Sequence, residues 1–349
     1  MIPTLKLVYK VGKANLGRFN PFELNFAVTY LCNSRCKTCN IWKVGKKDEL
    51  TIDEIEKFAQ KIKFIHWVRI TGGEPFLRED FVNILKILNT ELDLHMLSTP
   101  TNGLLPELIE KKVRDVLKFL KPRYIITVSL DGPREIHENI RGVEGSWSRS
   151  VETFRRLKKL ERRNKKFKVF FGYTISPFNV GKFEETVESV REEIPSVSHK
   201  DFHVNIFHAS SVYYRTEPKE MKNFLKNFGD QASKEVREMI KRKKVTSLID
   251  IIEKKYLRLG LKYIKTMEMP VKCNIYNLSA FVDPYGNVYP CTIFDYKIGN
   301  LRESNYDLLK ILNSEEALKA RKLIESKRCP QCWTPCEAHQ IILSRLLRI

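Results

Sequence analysis

The sequence predicts an α/β protein: a partial (β/α)6 TIM-like barrel followed by a smaller, cysteine-bearing module. Three observations lead there. Between residues 23 and 207 short apolar runs alternate with amphipathic segments, the signature of repeated βα units on a parallel sheet. Six such units occur, two short of a closed eight-stranded barrel. Beyond about residue 215 the pattern gives way to long charged helical stretches and then to a segment, 273 to 336, that holds five of the eight cysteines.

Taken in order, the strands are expected at 23–29 (ELNFAVT), 66–71, 95–99, 123–129, 168–175 and 202–207. Helices fall between them at about 51–63, 79–90, 104–119, 147–163 and 181–193, the first opened by Thr51 with Glu54 three residues on, a capping-box spacing. In a barrel or an open α/β sheet the chemistry belongs at the carboxyl ends of the strands. The distinctive loops sit there: a cysteine loop after the first strand, GGEP after the second, TNG after the third and DGP after the fourth. The expected organisation is an N-terminal extension at 1–20, a core at 21–214, a helical linker at 215–268 and the terminal module at 269–349.

At 349 residues and 42% hydrophobic content the chain can bury a large core. It has no uncharged apolar run of membrane-spanning length, and its first residues are too often interrupted by Lys, Asn and Arg for a signal sequence, so a cytoplasmic location is expected. Eight cysteines in tight clusters then suit metals better than disulfides. The formal charge of +20 fits an acidic partner, but Lys and Arg stand beside Glu along helices and Gln is scarce, the ion-pair-rich surface of a thermophile. Without interleaved aromatics or a binding motif, nucleic acid is not an expected partner. The C-terminal AHQIILSRLLRI puts Ile342, Leu343, Leu346, Leu347 and Ile349 on one face, able to pack on its own module or, weakly, on an anionic membrane.

Cys32, Cys36 and Cys39 can reach one metal centre together, with no fourth cysteine nearby. A structural zinc site or an all-protein cubane takes four ligands, so a coordination position is left open. With TGGEPFLR ending the second strand, the C-x3-C-x2-C loop closely resembles the radical S-adenosylmethionine (SAM) superfamily. The resemblance implies a 4Fe-4S cluster on Cys32, Cys36 and Cys39, with the amino and carboxylate groups of SAM on the fourth iron. It also implies reductive cleavage of SAM to a 5'-deoxyadenosyl radical that abstracts hydrogen from a substrate. Gly72 and Gly73 would let backbone come close to a ligand, Glu74, followed by Pro75, would accept hydrogen bonds from the methionine ammonium, and Trp42 would shield the cluster or pack on adenine.

The stretch SLDGPREIHENIRG resembles the branch of that superfamily with C-terminal SPASM or Twitch modules, making Ser129, Asp131 and Arg141 candidate SAM contacts and Asn102 a rim contact. Each has an ordinary alternative, a tight turn for Asp131 and Asn102 and a solvated residue for Arg141. Cys273, Cys291, Cys329, Cys332 and Cys336, with DPYGNVYPC and CPQCWTPC, resemble a Twitch or reduced SPASM module that binds an auxiliary 4Fe-4S cluster. Five thiols fully ligate only one; the expected set is Cys273, Cys291, Cys329 and Cys332, leaving Cys336 as a substitute ligand, a radical-quenching thiol or an inert residue. Such a cluster would accept an electron from a substrate radical or conduct electrons to the first. Tyr173, Ser176 and Asn179 at the end of the fifth strand, and His203 and His208 around the sixth, are rim positions open to substrate contact or to a structural role.

The implied activity is oxidation or another modification of a phosphorylated, nucleotide-linked or lipid-linked sugar or other small molecule, with an electron donor such as ferredoxin or flavodoxin. A peptide-modifying maturase is the alternative, disfavoured by the lack of a leader-recognition domain before the barrel. From another class, a zinc-dependent nucleic-acid-binding protein would use the CxxC knuckle and the basic surface.

Overall fold

A computed structural model describes residues 21–45 and 47–346. The expected N-terminal extension, and Leu347, Arg348 and Ile349 of the terminal apolar face, lie outside the described residues. The six expected strands form as β1 (Glu23–Thr29), β2 (Trp67–Gly72), β3 (Met96–Thr101), β4 (Arg123–Ser129), β5 (Phe167–Ile175) and β6 (Phe202–Ile206). The helices between them are α1 (Ile52–Lys61), α2 (Phe81–Glu91), α3 (Pro106–Leu117), α4 (Arg134–Arg141), α5 (Ser146–Arg163) and α6 (Phe183–Glu193). Thr51 and Glu54 form the reciprocal capping box at the start of α1, worth on the order of 1 kcal/mol. Helix α4 was not expected from the sequence; Pro133 opens it and Gly142, at φ +61°, closes it.

All six strands pair in parallel in the order β6-β5-β4-β3-β2-β1. Alternation along each strand divides the side chains into two sets. Leu24, Phe26 and Val28 of β1, Val68 and Ile70 of β2, and Ile126 and Val128 of β4 are fully buried in the main core with Phe58, Ile84 and Phe154 of the covering helices. Their neighbours point the other way: Trp67, Arg69 and Thr71, Met96 and Ser98, Ile125, Thr127 and Ser129, and His203 and Asn205 all line one interior cavity. The polar residues on otherwise buried strands are thus the wall of the lumen.

After β6 come α7 (Pro218–Arg242) and α8 (Leu248–Thr266), which pack on each other. The terminal segment does not form a detached lobe. Its strand β7 (Ser279–Val282) pairs in parallel with β1, and β8 (Asn287–Tyr289) and β9 (Gly299–Asn300) continue antiparallel, so the sheet runs on past the barrel edge. Reading the chain for periodicity misses these strands because β7 and β8 are short and mostly buried, without amphipathic alternation. Helices α9 (Leu308–Leu312), α10 (Glu315–Glu325) and α11 (Pro335–Leu346) complete the chain, and Ile342 and Leu343 of α11 are buried in the protein interior. Among the described residues no helix is long and apolar enough to cross a membrane.

Candidate active site

The cysteine loop leaves β1 and is clamped from two sides. Arg35 N donates to Arg141 O (2.9 Å) and Lys37 N to Ile140 O (2.8 Å), tying the loop to the carboxyl end of α4, while Asn40 N donates to Tyr214 O (2.8 Å). Gly142 is glycine for a local reason besides its φ: a Cβ there would stand 2.7 Å from Arg35 O. Between these anchors Cys32, Cys36 and Cys39 all face the lumen cavity.

The glycines of GGEP serve the same loop. Gly73 N donates to Thr29 O and Glu74 N to Leu31 O, both at 2.8 Å. A Cβ on Gly72 would fall 2.1 Å from Thr29 O, and one on Gly73 2.3 Å from Leu31 O. The sequence reading assigned their smoothness to a ligand; the structure places the close approach against the cysteine loop's own backbone. Both glycines also line the cavity, so the two readings are compatible for their lumen side.

Glu74 is buried, at 1% exposure. Its Oε2 accepts from Asn102 N (2.7 Å), and its Oε1 accepts from Thr101 Oγ1 (2.9 Å) and Phe76 N (3.2 Å). Burial pushes its pKa up to about 7 against these hydrogen bonds. The carboxyl therefore braces the third loop, just behind the rim. Pro75 is buried in the short 3-10 turn that follows. Asn102 turns its Nδ2 to Asn33 Oδ1 (2.7 Å), beside Cys32, and itself lines the cavity.

Ser129, Asp131 and Arg141 reach the same cavity from β4 and α4. Arg141 is ion-paired with Asp131, and its Nη1 lies 3.5 Å from Cys36 Sγ. Asp131 Oδ1 also accepts from Thr174 N (2.9 Å). Neither residue is in its ordinary alternative role of turn former or solvated cation. Trp42 lines the cavity with Lys43 Nζ 5.2 Å from its ring centroid.

The three thiols are a soft donor set: burial pushes Cys32 up to about 11, with Glu74 and then Cys36 adding to it, and pushes Cys39 up to about 12, with Cys36 adding to it. A cationic cluster removes that penalty, and three sulfurs with Arg141 and Asn102 amide donors around them fit a cubane with one open iron. Among the described residues no three His, Cys, Asp or Glu side chains are gathered tightly enough for a single metal ion.

In the terminal module Cys273, Cys291 and Cys332 pack in one apolar cluster with Trp67 and Tyr214 of the cavity wall. Cys329 stands near Cys273, close enough to oppose its ionisation, and burial pushes Cys273 up to about 12. Phe294 N lies 3.4 Å from Cys291 Sγ, and Gln331 Nε2 3.5 Å from Cys329 Sγ, donors suited to a sulfur-ligated cluster. Cys336 is placed differently, on the lumen cavity with the first three cysteines.

The other sequence candidates separate. Tyr173, Ser176 and Asn179 are buried and bonded among themselves, Asn179 also donating to Asp131 O (2.8 Å), so they shape the rim from behind. His208 also borders the cavity, but both its ring nitrogens are engaged by the protein: Nε2 accepts from Trp333 N (2.8 Å) and Nδ1 faces Ile206 O, while burial lowers its pKa to about 4. His203 lines the cavity as well, 3.0 Å from Glu253. Sequence reasoning missed Trp67, Arg69, Ser98, Tyr213 and His339, all on the cavity wall. For the first three a signal existed, polar or amphipathic residues at period two inside apolar strands.

Residues 26–190 match the family model of the Radical SAM superfamily, and residues 273–337 match that of the SPASM iron-sulfur cluster-binding domain. The AdoMet-dependent heme synthase of Methanosarcina barkeri is 25% identical, over 89% of each chain. The antilisterial bacteriocin subtilosin biosynthesis protein AlbA of Bacillus subtilis is 21% identical over 84% of this chain, which spans 60% of that protein's length. Among solved structures, Streptococcus suis SuiB is similar with S-adenosylmethionine bound (TM-score 0.59) and with its precursor peptide SuiA bound (TM-score 0.58). Both are 18% identical and cover 89% of this chain, and the matches cover 69% and 68% of SuiB. That likeness concerns the fold.

Proposed function

Because the chain belongs to the radical SAM enzymes that carry a SPASM domain, we propose that it abstracts a hydrogen atom from a small organic molecule enclosed in the barrel lumen, as the first step of an oxidative modification. The observation that carries this reading is the continuity of one cavity. A volume of about 350 Å³ is lined at one end by Cys32, Cys36, Cys39 and the Gly72–Gly73 rim, and deeper by Trp67, Arg69, Ser98, His203 and His339.

Cys32, Cys36 and Cys39 would hold the 4Fe-4S cluster, and Cys273, Cys291, Cys329 and Cys332 an auxiliary one. When bound, the first cluster and SAM supply a 5'-deoxyadenosyl radical, and the second supplies an electron acceptor or relay. The chain's own residues set the geometry. Asp131 and Arg141 fix α4 under Cys36, Glu74 and Asn102 fix the third loop beside Cys32, and Tyr213 holds Thr71 and, through Gly72 O at 3.2 Å, the rim. Trp42 is the aromatic available to an adenine. The buried wall excludes water and reductants from a reactive carbon.

The phosphorylated or nucleotide-linked sugar suggested by net charge is supported less well, since the cations lining the cavity are Arg69 and Arg141 and the latter is paired. A second reading, a peptide side chain entering the same lumen, draws on AlbA, a bacteriocin biosynthesis protein, and on SuiB, solved with a precursor peptide.

Anaerobic reconstitution tests the proposal. The expected protein holds about eight irons, changes its electron paramagnetic resonance spectrum when SAM is added, and yields 5'-deoxyadenosine and methionine on reduction. No spectral response to SAM with Cys32, Cys36 and Cys39 intact would overturn it. Deuterium transfer into 5'-deoxyadenosine from labelled small molecules or labelled peptides then separates the two substrate readings.

A further inference from the structure

The deep half of the lumen contains polar groups without partners. Arg69 and Ser98 face each other in the register of β2 and β3, so both side chains stand in the same layer of the lumen. Arg69 Nε, Ser98 Oγ and Trp67 Nε1 are buried atoms without a hydrogen-bond partner among the described residues. The Arg69 guanidinium lies 5.9 Å from the centroid of the Trp67 ring. Its contact with Glu23 is a single long one, Nη2 to Oε1 at 3.4 Å, and that oxygen already accepts from Gln340 Nε2 at 2.5 Å. Of the Arg69 side chain 18% remains open, against none of Glu23, and Arg69 lines the cavity.

A buried guanidinium with one weak partner and an unused donor costs free energy unless a ligand completes it. We infer that Arg69, with Ser98 and Trp67 beside it, is the anchor for a carboxylate carried by the substrate. This rests on the reading that the lumen holds the substrate. The planar fork suits a carboxylate, which takes two parallel N–H bonds, and Ser98 Oγ adds a third donor. A phosphate dianion fits worse, because one guanidinium that already shares Glu23 Oε1 brings a single positive charge against two negative ones. Glu337 is turned away, its Oε1 accepting from Thr292 N (2.9 Å) and Thr292 Oγ1 (2.8 Å). Burial favours the neutral form of Glu23, which leaves the arginine's charge to the ligand.

The position gives the substrate a direction. Arg69 lies two residues before Thr71 on the same strand, one lumen layer or about 7 Å below the rim. A molecule held by its carboxylate at Arg69 presents its opposite end to the cysteine loop. Cys336 and His339 from α11 line the same cavity and bound the space between.

Benzoate is a suitable probe, since its ring can lie against Trp67, with benzamide as its neutral match and phenylphosphonate as its dianionic one. Binding is measured by oxygen-free calorimetry on the reconstituted, SAM-loaded enzyme. Benzoate is expected to bind saturably in the millimolar range, benzamide at least about tenfold more weakly, and phenylphosphonate no better than benzoate. Arg69→Gln should weaken benzoate by about tenfold or more and Ser98→Ala by a few fold, while both keep the spectroscopic response to SAM. Equal binding of benzoate and benzamide, no benzoate binding, preference for phenylphosphonate, or an unchanged affinity in a folded Arg69→Gln each overturns the assignment. The benzoate-to-benzamide ratio is read on the unmodified enzyme, so it stands even where Arg69→Gln does not fold. Loss of the SAM response in the unmodified enzyme strikes at the proposed function instead.

Discussion

Gly73→Ala separates two explanations of the GGEP motif. If the glycine is there to admit a ligand, the iron-free protein should not notice an added methyl group. If it is there to seat the cysteine loop, the iron-free protein should be destabilised. The added Cβ would stand 2.3 Å from Leu31 O, a backbone atom that cannot rotate away. Relief to ordinary contact needs a displacement of about 1 Å, in the same place where Gly73 N and Glu74 N make 2.8 Å hydrogen bonds to the loop. Overpacking costs about 1–3 kcal/mol, and weakening the two buried bonds adds about 1 kcal/mol each. The sum, about 3–5 kcal/mol, lowers the melting temperature of a chain this long by roughly 4–7 °C on average unfolding entropies. The assay is calorimetric melting of protein stripped of iron, without SAM. An unchanged melting temperature, with only the SAM response lost, refutes the backbone explanation.

Other expectations follow from the same geometry. Glu23 has its pKa raised to about 7 by burial, so the folded state holds that proton more tightly than the unfolded chain; the stabilisation is complete below about pH 4.5 and lost as pH rises past 7. Glu23→Gln should remove that slope, by at most about 3 kcal/mol across the window, and denaturant melts at pH 4.5, 6 and 7.5 measure it; parallel curves would contradict it. Cys332→Ser should lose auxiliary iron while Cys336→Ser keeps it, with iron and sulfide analysis as the check. Asp131→Ala strands the buried Arg141 and should cost about 3 kcal/mol along with the SAM-induced spectral change; a variant as stable as the parent would remove the ion pair from the account.

The barrel was legible because its strands are buried on the helix side by unbroken apolar sets, and both β1 and β4 have the expected limits. Reading Cys32, Cys36, Cys39 and Asn102 as neighbours needed only loop positions after consecutive strands, and the structure brings them to one cavity. Lumen residues were harder. Arg69 reads in one dimension as a surface residue, and only its alternation with Val68 and Ile70 reveals the inner face. Glu74 and the two glycines were placed at the right rim, but their nearest partners are the chain's own loops, which become neighbours only when β1 and β2 pair. Strand β7 was missed because its pairing with β1 across some 250 residues leaves no local trace, and β8 and β9 because two or three residues are too few to show a period.

The parallel ladder between β7 and β1 has a consequence during synthesis. Asn25 Nδ2 bonds to Ser279 Oγ, 254 positions later, so one flank of the first strand leaves the ribosome with its final neighbour unmade. At about 5–20 residues per second that flank waits on the order of ten to fifty seconds, long enough for a nascent chain to be captured by a chaperone or by another copy of itself.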